Sequence, residues 1–178
     1  MGCGGTRVDT TLLPKETKTD TSKSKCLIFG MPNSGQDAFI KSIESCFSKV
    51  GNQIESPFIF IEIETDRESR TGWVEQFSLH SHVIASFFFA NVKTTSGVMM
   101  SVKTINWFRS QLLDQNPPQI VGYVQSPNEL NNFSLLKEKL SPGIEVSTFN
   151  NENASDIQKY IEFISSCAAR HPLKRIPV

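Results

Sequence analysis

The stretch Cys26-Leu27-Ile28-Phe29-Gly30-Met31-Pro32-Asn33-Ser34-Gly35-Gln36-Asp37-Ala38-Phe39-Ile40-Lys41 decides the fold. Its first five residues are apolar and end in glycine, the mark of a buried strand. From Gln36 onward Phe39, Ile40, Ile43, Phe47 and Val50 fall on one helix face. The loop between them has the frame G-x-x-x-x-G-K-[ST]. In that frame backbone N–H groups and the helix N-terminus cradle phosphates, a Lys reaches the β- and γ-oxygens, and a Ser or Thr hydroxyl ligates Mg²⁺. Gly30, Ser34 and Gly35 keep the frame, but Gln36 stands at the Lys place and Asp37 at the Ser/Thr place. A cation is lost and a carboxylate gained beside the phosphates, a repulsion on the order of several kcal/mol in a partly buried site. The spacing is that of a phosphate loop; the residues disfavour Mg-nucleotide.

Outward from this unit the same alternation continues. Strands are expected at 58–64, 83–92, 119–124 and 144–149, the first of them β-branched or aromatic at almost every inward and outward position, as when both sheet faces are covered. Val98, Val102, Ile105, Phe108 and Leu112 mark a helix ending before Pro117-Pro118. Leu135, Leu136 and Leu140 mark a shorter one near 132–140, and Ile157, Tyr160, Ile161, Ile164 and Ala168 a last one after a Ser155 cap. Residues 68–81 alternate like a strand around Trp73, Phe77 and Leu79, yet two parallel neighbours need a crossover, so a helix is expected there. The expected fold is an α/β three-layer sandwich with a mostly parallel five-stranded sheet.

The chain of 178 residues suits one domain with short extensions: a tether over 1–24, a body over 25–169 and a basic tail over 170–178. Eighteen Lys and Arg balance eighteen Asp and Glu, so the chain lacks the basic field of a sequence-independent nucleic-acid binder, and no nucleic-acid partner is expected. Cys3, Cys26, Cys46 and Cys167 form no CxxC pair, which points away from a zinc site and toward a reducing compartment. No apolar run approaches the roughly 20 residues that span a bilayer.

Met1-Gly2-Cys3-Gly4-Gly5-Thr6 fits the myristoylation pattern M-G-x-x-x-[ST] in full. Gly2 would carry myristate, and Cys3 beside it would supply the palmitate that stable anchoring requires, since one chain holds only marginally. The expected location is the cytoplasmic face of a membrane, the plasma membrane first among them.

Leu27 to Lys41 resembles the phosphate-loop segment of Ras-like GTPases, closest to heterotrimeric G-protein α subunits and Arf-like proteins. Arg70-x-x-Trp73-x-x-x-Phe77 before the 83–89 strand resembles their switch-II helix and next strand, and Met1-Gly2-Cys3 resembles an α subunit's acylated start. Glu152-Asn153, after Ser147-Thr148, resembles the last base-recognition loop. The resemblance implies a P-loop (Ras-like) topology, and several motifs depart from it. Glu64-Thr65-Asp66-Arg67 stands in place of D-x-x-G, without the Gly that meets the γ-phosphate. Gln125-Ser126-Pro127-Asn128 stands in place of N-K-x-D, and an Asn128 amide does not offer guanine the paired acceptors of a carboxylate. Only residues 51–57 separate the first helix from the next strand, too few for switch I and its edge strand.

The reading is a membrane-anchored pseudo-GTPase, not an enzyme, that binds or scaffolds an unidentified protein. It would use no cofactor, with residual GTP or GDP binding as the exception. The expected partner surface lies around 64–80, on Arg70, Trp73 and Phe77, although Trp73 and Phe77, four apart on one helix face, serve equally as core. Two alternatives stay open: a divergent nucleotide-binding GTPase or ATPase in which Asp37 ligates the metal and Lys41 or Arg67 replaces the lost Lys, and an unrelated α/β adaptor. His80 and His82, with no third ligand near them in sequence, read as a solvated turn. The cluster Arg170 to Arg175 reads equally as a lipid or acidic-partner contact and as charge complementing a helix end.

Overall fold

The structure, a computed structural model, describes residues 23–48, 56–63, 69–75, 83–112 and 117–170. In chain order these form β1 (Ser24–Gly30), α1 (Gln36–Ser48), β2 (Phe58–Glu62), a 3-10 turn (Ser69–Gly72), β3 (Val83–Ala90), α2 (Thr95–Gln111), β4 (Gln119–Tyr123), α3 (Pro127–Lys139), β5 (Val146–Phe149) and α4 (Ala154–Arg170). The five strands pair in the order β2-β1-β3-β4-β5, and every pairing is parallel. This is the expected α/β sandwich, and among the described residues β2 is the edge strand beside β1.

Period-two alternation sorts the central strands onto two cores. Leu27, Phe29 and Phe88 face α2 and α3, where Val98, Ile105, Phe108, Phe133 and Leu136 close over them. Cys26, Ile28, Phe87 and Phe89 face the other way, onto Phe39 and Ile43 of α1 and Tyr160 and Ile164 of α4. Both faces are therefore dry, which is why Cys26 to Phe29 of β1 read as an unbroken apolar run. Aromatic rings do much of the filling. Phe39 meets Phe87, Phe89, Phe149 and Tyr160 at centroid separations of 5.1–5.3 Å, mostly edge to face, an arrangement worth about 0.5–1.5 kcal/mol per pair beyond area burial. Burial pushes the Cys26 thiol up to about 12, with the neighbouring Cys167 a smaller cause.

Several expectations need correction. Trp73 is not a surface residue. It is fully buried, edge to face with Phe29 at 5.5 Å and with Phe108 at 5.9 Å, so it belongs to the α2–α3 core. The crossover expected over 68–81 is described as the 3-10 turn and residues 73–75, which are helical; Phe77, His80 and His82 lie outside the described residues. The helix expected at 132–140 begins earlier, at Pro127, because Ser126 and Glu129 form a reciprocal capping box. The last helix starts at Ala154, with Ser155 inside its first turn. Its N-terminus is held by Asn153, whose Oδ1 accepts from the Ser155 N–H at 3.0 Å. The acylation sites Gly2 and Cys3, the Glu64–Arg67 motif and the tail beyond Arg170 also lie outside the described residues. No helix among the described residues is long and apolar enough to cross a membrane.

Candidate functional site

In an open parallel sheet the ligand crevice lies beyond the carboxyl ends of the strands. Here the β1–α1 loop, the end of β2, the loop after β3 and the end of β4 meet there around a cavity of 340 Å³, lined among others by Asn33, Gln36, Asp37, Glu62, Lys93 and Tyr123.

The loop keeps a demanding backbone. Gly30 sits at φ 142° and Gly35 at φ 101°, values L side chains rarely adopt, and Asn33 takes the left-handed region at φ 55°. Gly30 is also pressed against β3. A Cβ there would lie 2.3 Å from the Phe89 carbonyl oxygen, and the Met31 N–H donates to that oxygen at 2.8 Å. Such a course is the one that turns successive N–H groups inward to make an anion nest.

The nest is closed by its own side chain. Gln36, only 4% exposed, folds back so that its Oε1 accepts from the Ser34 N–H at 3.0 Å while its Nε2 donates to the Met31 carbonyl at 2.7 Å. The Ser34 hydroxyl, also buried, donates to the Pro32 carbonyl at 3.3 Å. A phosphate oxygen at Ser34 N would have to displace the amide oxygen. It would leave the buried amide short of a partner, at a cost of about 1–3 kcal/mol.

Charge at the mouth runs against a polyphosphate. Asp37 is exposed in the first turn of α1, and Glu62 ends β2 on the opposite wall. Partial burial raises the Glu62 carboxyl above its ordinary value, and the Asp37 charge raises it further. Among the described residues Lys93 is the lysine or arginine on the cavity wall, and Lys41, expected as a replacement cation, is exposed farther along α1 and is not among the lining residues. Sequence reasoning missed Lys93 and Glu62, since neither sits in a motif; only their places at strand ends could have flagged them.

The β4 side has been rebuilt inward. The Tyr123 ring lies on Gly35, where an added Cβ would come within 2.4 Å of Cγ. It stacks on Phe149 at 5.9 Å, and its hydroxyl donates to Asn151 Oδ1 at 2.8 Å. Desolvation raises its pKa, with Glu152 and then Glu129 adding to it. The Gln125 and Ser126 N–H groups both donate to Glu129 Oε2, at 2.6 and 3.0 Å, so this loop serves to cap α3. Asn128 is exposed within the first turn of α3. Ser147 does not belong to this site. It is buried on β5, 2.7 Å from the Tyr160 hydroxyl. Since that hydroxyl donates to the Thr148 carbonyl at 3.0 Å, Ser147 is the donor to it. Glu152 and Asn153 form the turn before α4, where Asn150 Oδ1 accepts from the Glu152 N–H at 2.9 Å and Asp156 from the Asn150 N–H at 3.1 Å. Arg70 lies over the Trp73 ring, its guanidinium carbon 5.8 Å from the ring centroid.

The strand order, the strand–loop–helix at Gly30–Gln36 and the crevice beyond the strand ends together define a P-loop GTPase-like fold. Among solved structures the chain is similar to that of the SsGBP and GDP complex, with a TM-score of 0.53 and 12% identity; the match covers 87% of this chain and 52% of that one. It is also similar, at a TM-score of 0.48 and 13% identity, to a mutation variant of SsGBP, over 90% of this chain and 60% of that one. The matched part is thus about half the length of the first structure, and the likeness is one of fold. No protein-family model and no curated protein matches the sequence.

Proposed function

We propose that this chain is a pseudo-GTPase, a GTPase-like domain that binds little or no GTP and serves as a protein-binding or scaffolding module held at a membrane by acyl chains on Gly2 and Cys3. The observation that carries the first part is the Gln36 amide, which takes the Ser34 N–H and the Met31 carbonyl for itself. The residues present do not fit a Mg-nucleotide. The loop lacks its lysine, Asp37 and Glu62 face the entry, and Tyr123 lies where the β1 and β4 loops meet. The anchoring rests on the Met1–Thr6 motif. The scaffolding role is our reading of a fold whose phosphate loop lacks its lysine, and the buried Trp73 is not the anchor of that surface.

Titration with fluorescent GTP and GDP, with and without Mg²⁺, tests the first part. No saturable binding is expected, and micromolar Mg-dependent binding would overturn it. Metabolic labelling with a clickable myristate tests the anchor: label on wild type and none on Gly2→Ala is expected.

A further inference from the structure

Helix α2 differs from its neighbours in the character of its outer face. Among the helices that flank the sheet, α1 carries Asp37, Lys41 and Glu44, and α4 carries Asp156, Lys159, Glu162 and Arg170, the mixed charge of a solvated surface. Across Thr95–Gln111, α2 holds no carboxylate at all; its charged residues are Lys103 and Arg109. Three large apolar side chains stand out from it, Met99 at 43% exposure, Met100 at 44% and Trp107 at 38%. Met100, Lys103 and Trp107 succeed one another at i, i+3 and i+7, so they form one stripe about 10 Å long with Met99 at its side. On α3, which packs over the same sheet face, Leu130 is 51% exposed. The carboxylates of α3 are engaged: Glu129 in the capping box and Glu138 with Lys139 at 3.2 Å.

We propose that this α2 stripe is the face on which the domain lies against an anionic bilayer. The inference rests on the reading that Gly2 and Cys3 are acylated. Twenty-one residues lie between Gly2 and the start of β1 at Ser24, a length that extended covers at most about 75 Å. A body of this size has a radius of gyration near 15 Å, so such a tether brings any face to the membrane and the face is chosen by its own chemistry. Here the match is in sign and in kind. Lysine next to exposed methionines and a tryptophan is what the headgroup region accepts: the indole sits at the interface, the thioethers enter the acyl boundary, and the Lys103 stem lies along them with its ammonium among lipid phosphates. An acidic protein surface would satisfy Lys103 but leave the apolar stripe needing a matched groove. The opposite side of the sheet, covered by α1 and α4, then faces the cytosol and is open to a protein partner.

The test uses the acylated full chain on vesicles of phosphatidylcholine with and without phosphatidylserine, some carrying brominated acyl chains. Trp107 and the buried Trp73 are the two tryptophans, so quenching by brominated lipid reads the depth of Trp107 against an internal reference. Quenching with a blue shift is expected, stronger with phosphatidylserine. In the Cys3→Ala chain, held by one acyl group only, the double variant Met100→Gln/Trp107→Gln should reduce the vesicle-bound fraction on the order of tenfold with an unchanged melting temperature, and Lys103→Glu should remove most of the phosphatidylserine dependence. If the acylated wild type binds vesicles without quenching, and the double variant binds equally, the face is wrong and the acyl anchor stands. If Gly2→Ala binds as well as wild type and quenching persists, the anchor reading fails while the face is supported. A dimer in vesicle-free buffer that Trp107→Gln abolishes would overturn the membrane face in favour of a second copy of the chain.

Discussion

Two loops leave the carboxyl edge of the sheet and meet where Tyr123 lies on Gly35, and they are held in different ways. Gly30–Gln36 keeps a left-handed, glycine-dependent backbone suited to an anion, while a Gln36 side chain fills the anion's role. Past β4 the loop serves its own helix: Gln125 and Ser126 bind Glu129. The difference lies in what each backbone is packed against. Gly30 is wedged against the Phe89 carbonyl and Gly35 against Tyr123, so the first loop's course is fixed by the sheet whether or not phosphate binds. At residues 125–129 local hydrogen bonds to Glu129 and Ser126 shape the backbone. Ligand chemistry is easily replaced; backbone geometry under close packing is not.

That comparison breaks first at Gly30. Gly30→Ala forces a Cβ into the Phe89 carbonyl at a positive φ, and a loss of about 3 kcal/mol or more, near 10 °C in Tm, is expected by calorimetry. A Tm within a degree of wild type would mean the sheet does not dictate the loop. Gln36→Ala comes next. It leaves the buried Ser34 N–H and Met31 carbonyl without the amide, for an expected cost of about 2–4 kcal/mol and much faster hydrogen exchange at Ser34. Unchanged exchange there would remove the amide's role as occupant. On the β4 side Tyr123→Phe deletes the bond to Asn151 and should cost about 1 kcal/mol by denaturant titration. A cost as large as that at Gln36 would erase the contrast between the loops.

The smallest effect is electrostatic. Glu62 is held above its ordinary value in the fold, so its ionised form works against folding. That penalty is present above the raised value and is relieved as pH falls through it toward the unfolded one. Asp37→Asn should lower the Glu62 titration midpoint, seen by NMR of its side-chain carboxyl, without returning it to the ordinary value, since burial is the larger cause. A midpoint that does not move would separate the two walls of the cavity.

Most of the fold was legible because period and length carry it. Strands buried on both faces gave apolar runs at Cys26–Phe29 and Phe87–Ala90, and the phosphate-loop frame located the crevice. What was hidden depends on side-chain direction. Gln36 reads as a lost lysine, and nothing in its identity says that its amide turns back on Ser34. Trp73 shows an aromatic at helical spacing, equally fit for surface or core; Phe29 and Phe108 decide for the core. Ser147 looked like part of a base loop because it is near one in sequence, yet strand alternation turns it inward onto Tyr160. The capping box at Ser126 and Glu129 was in plain view, and its position would have set the true start of α3.

The back-folded Gln36 amide also has a meaning in mass action. A loop held by a diffusible phosphate gains RT ln(1 + [L]/Kd), roughly 2.7 kcal/mol at a hundredfold excess over Kd, and loses it when the supply falls. A group carried on the same chain has an effective concentration set by covalent geometry, which dilution does not change. A loop closed in this way keeps one shape whether phosphate is scarce or plentiful.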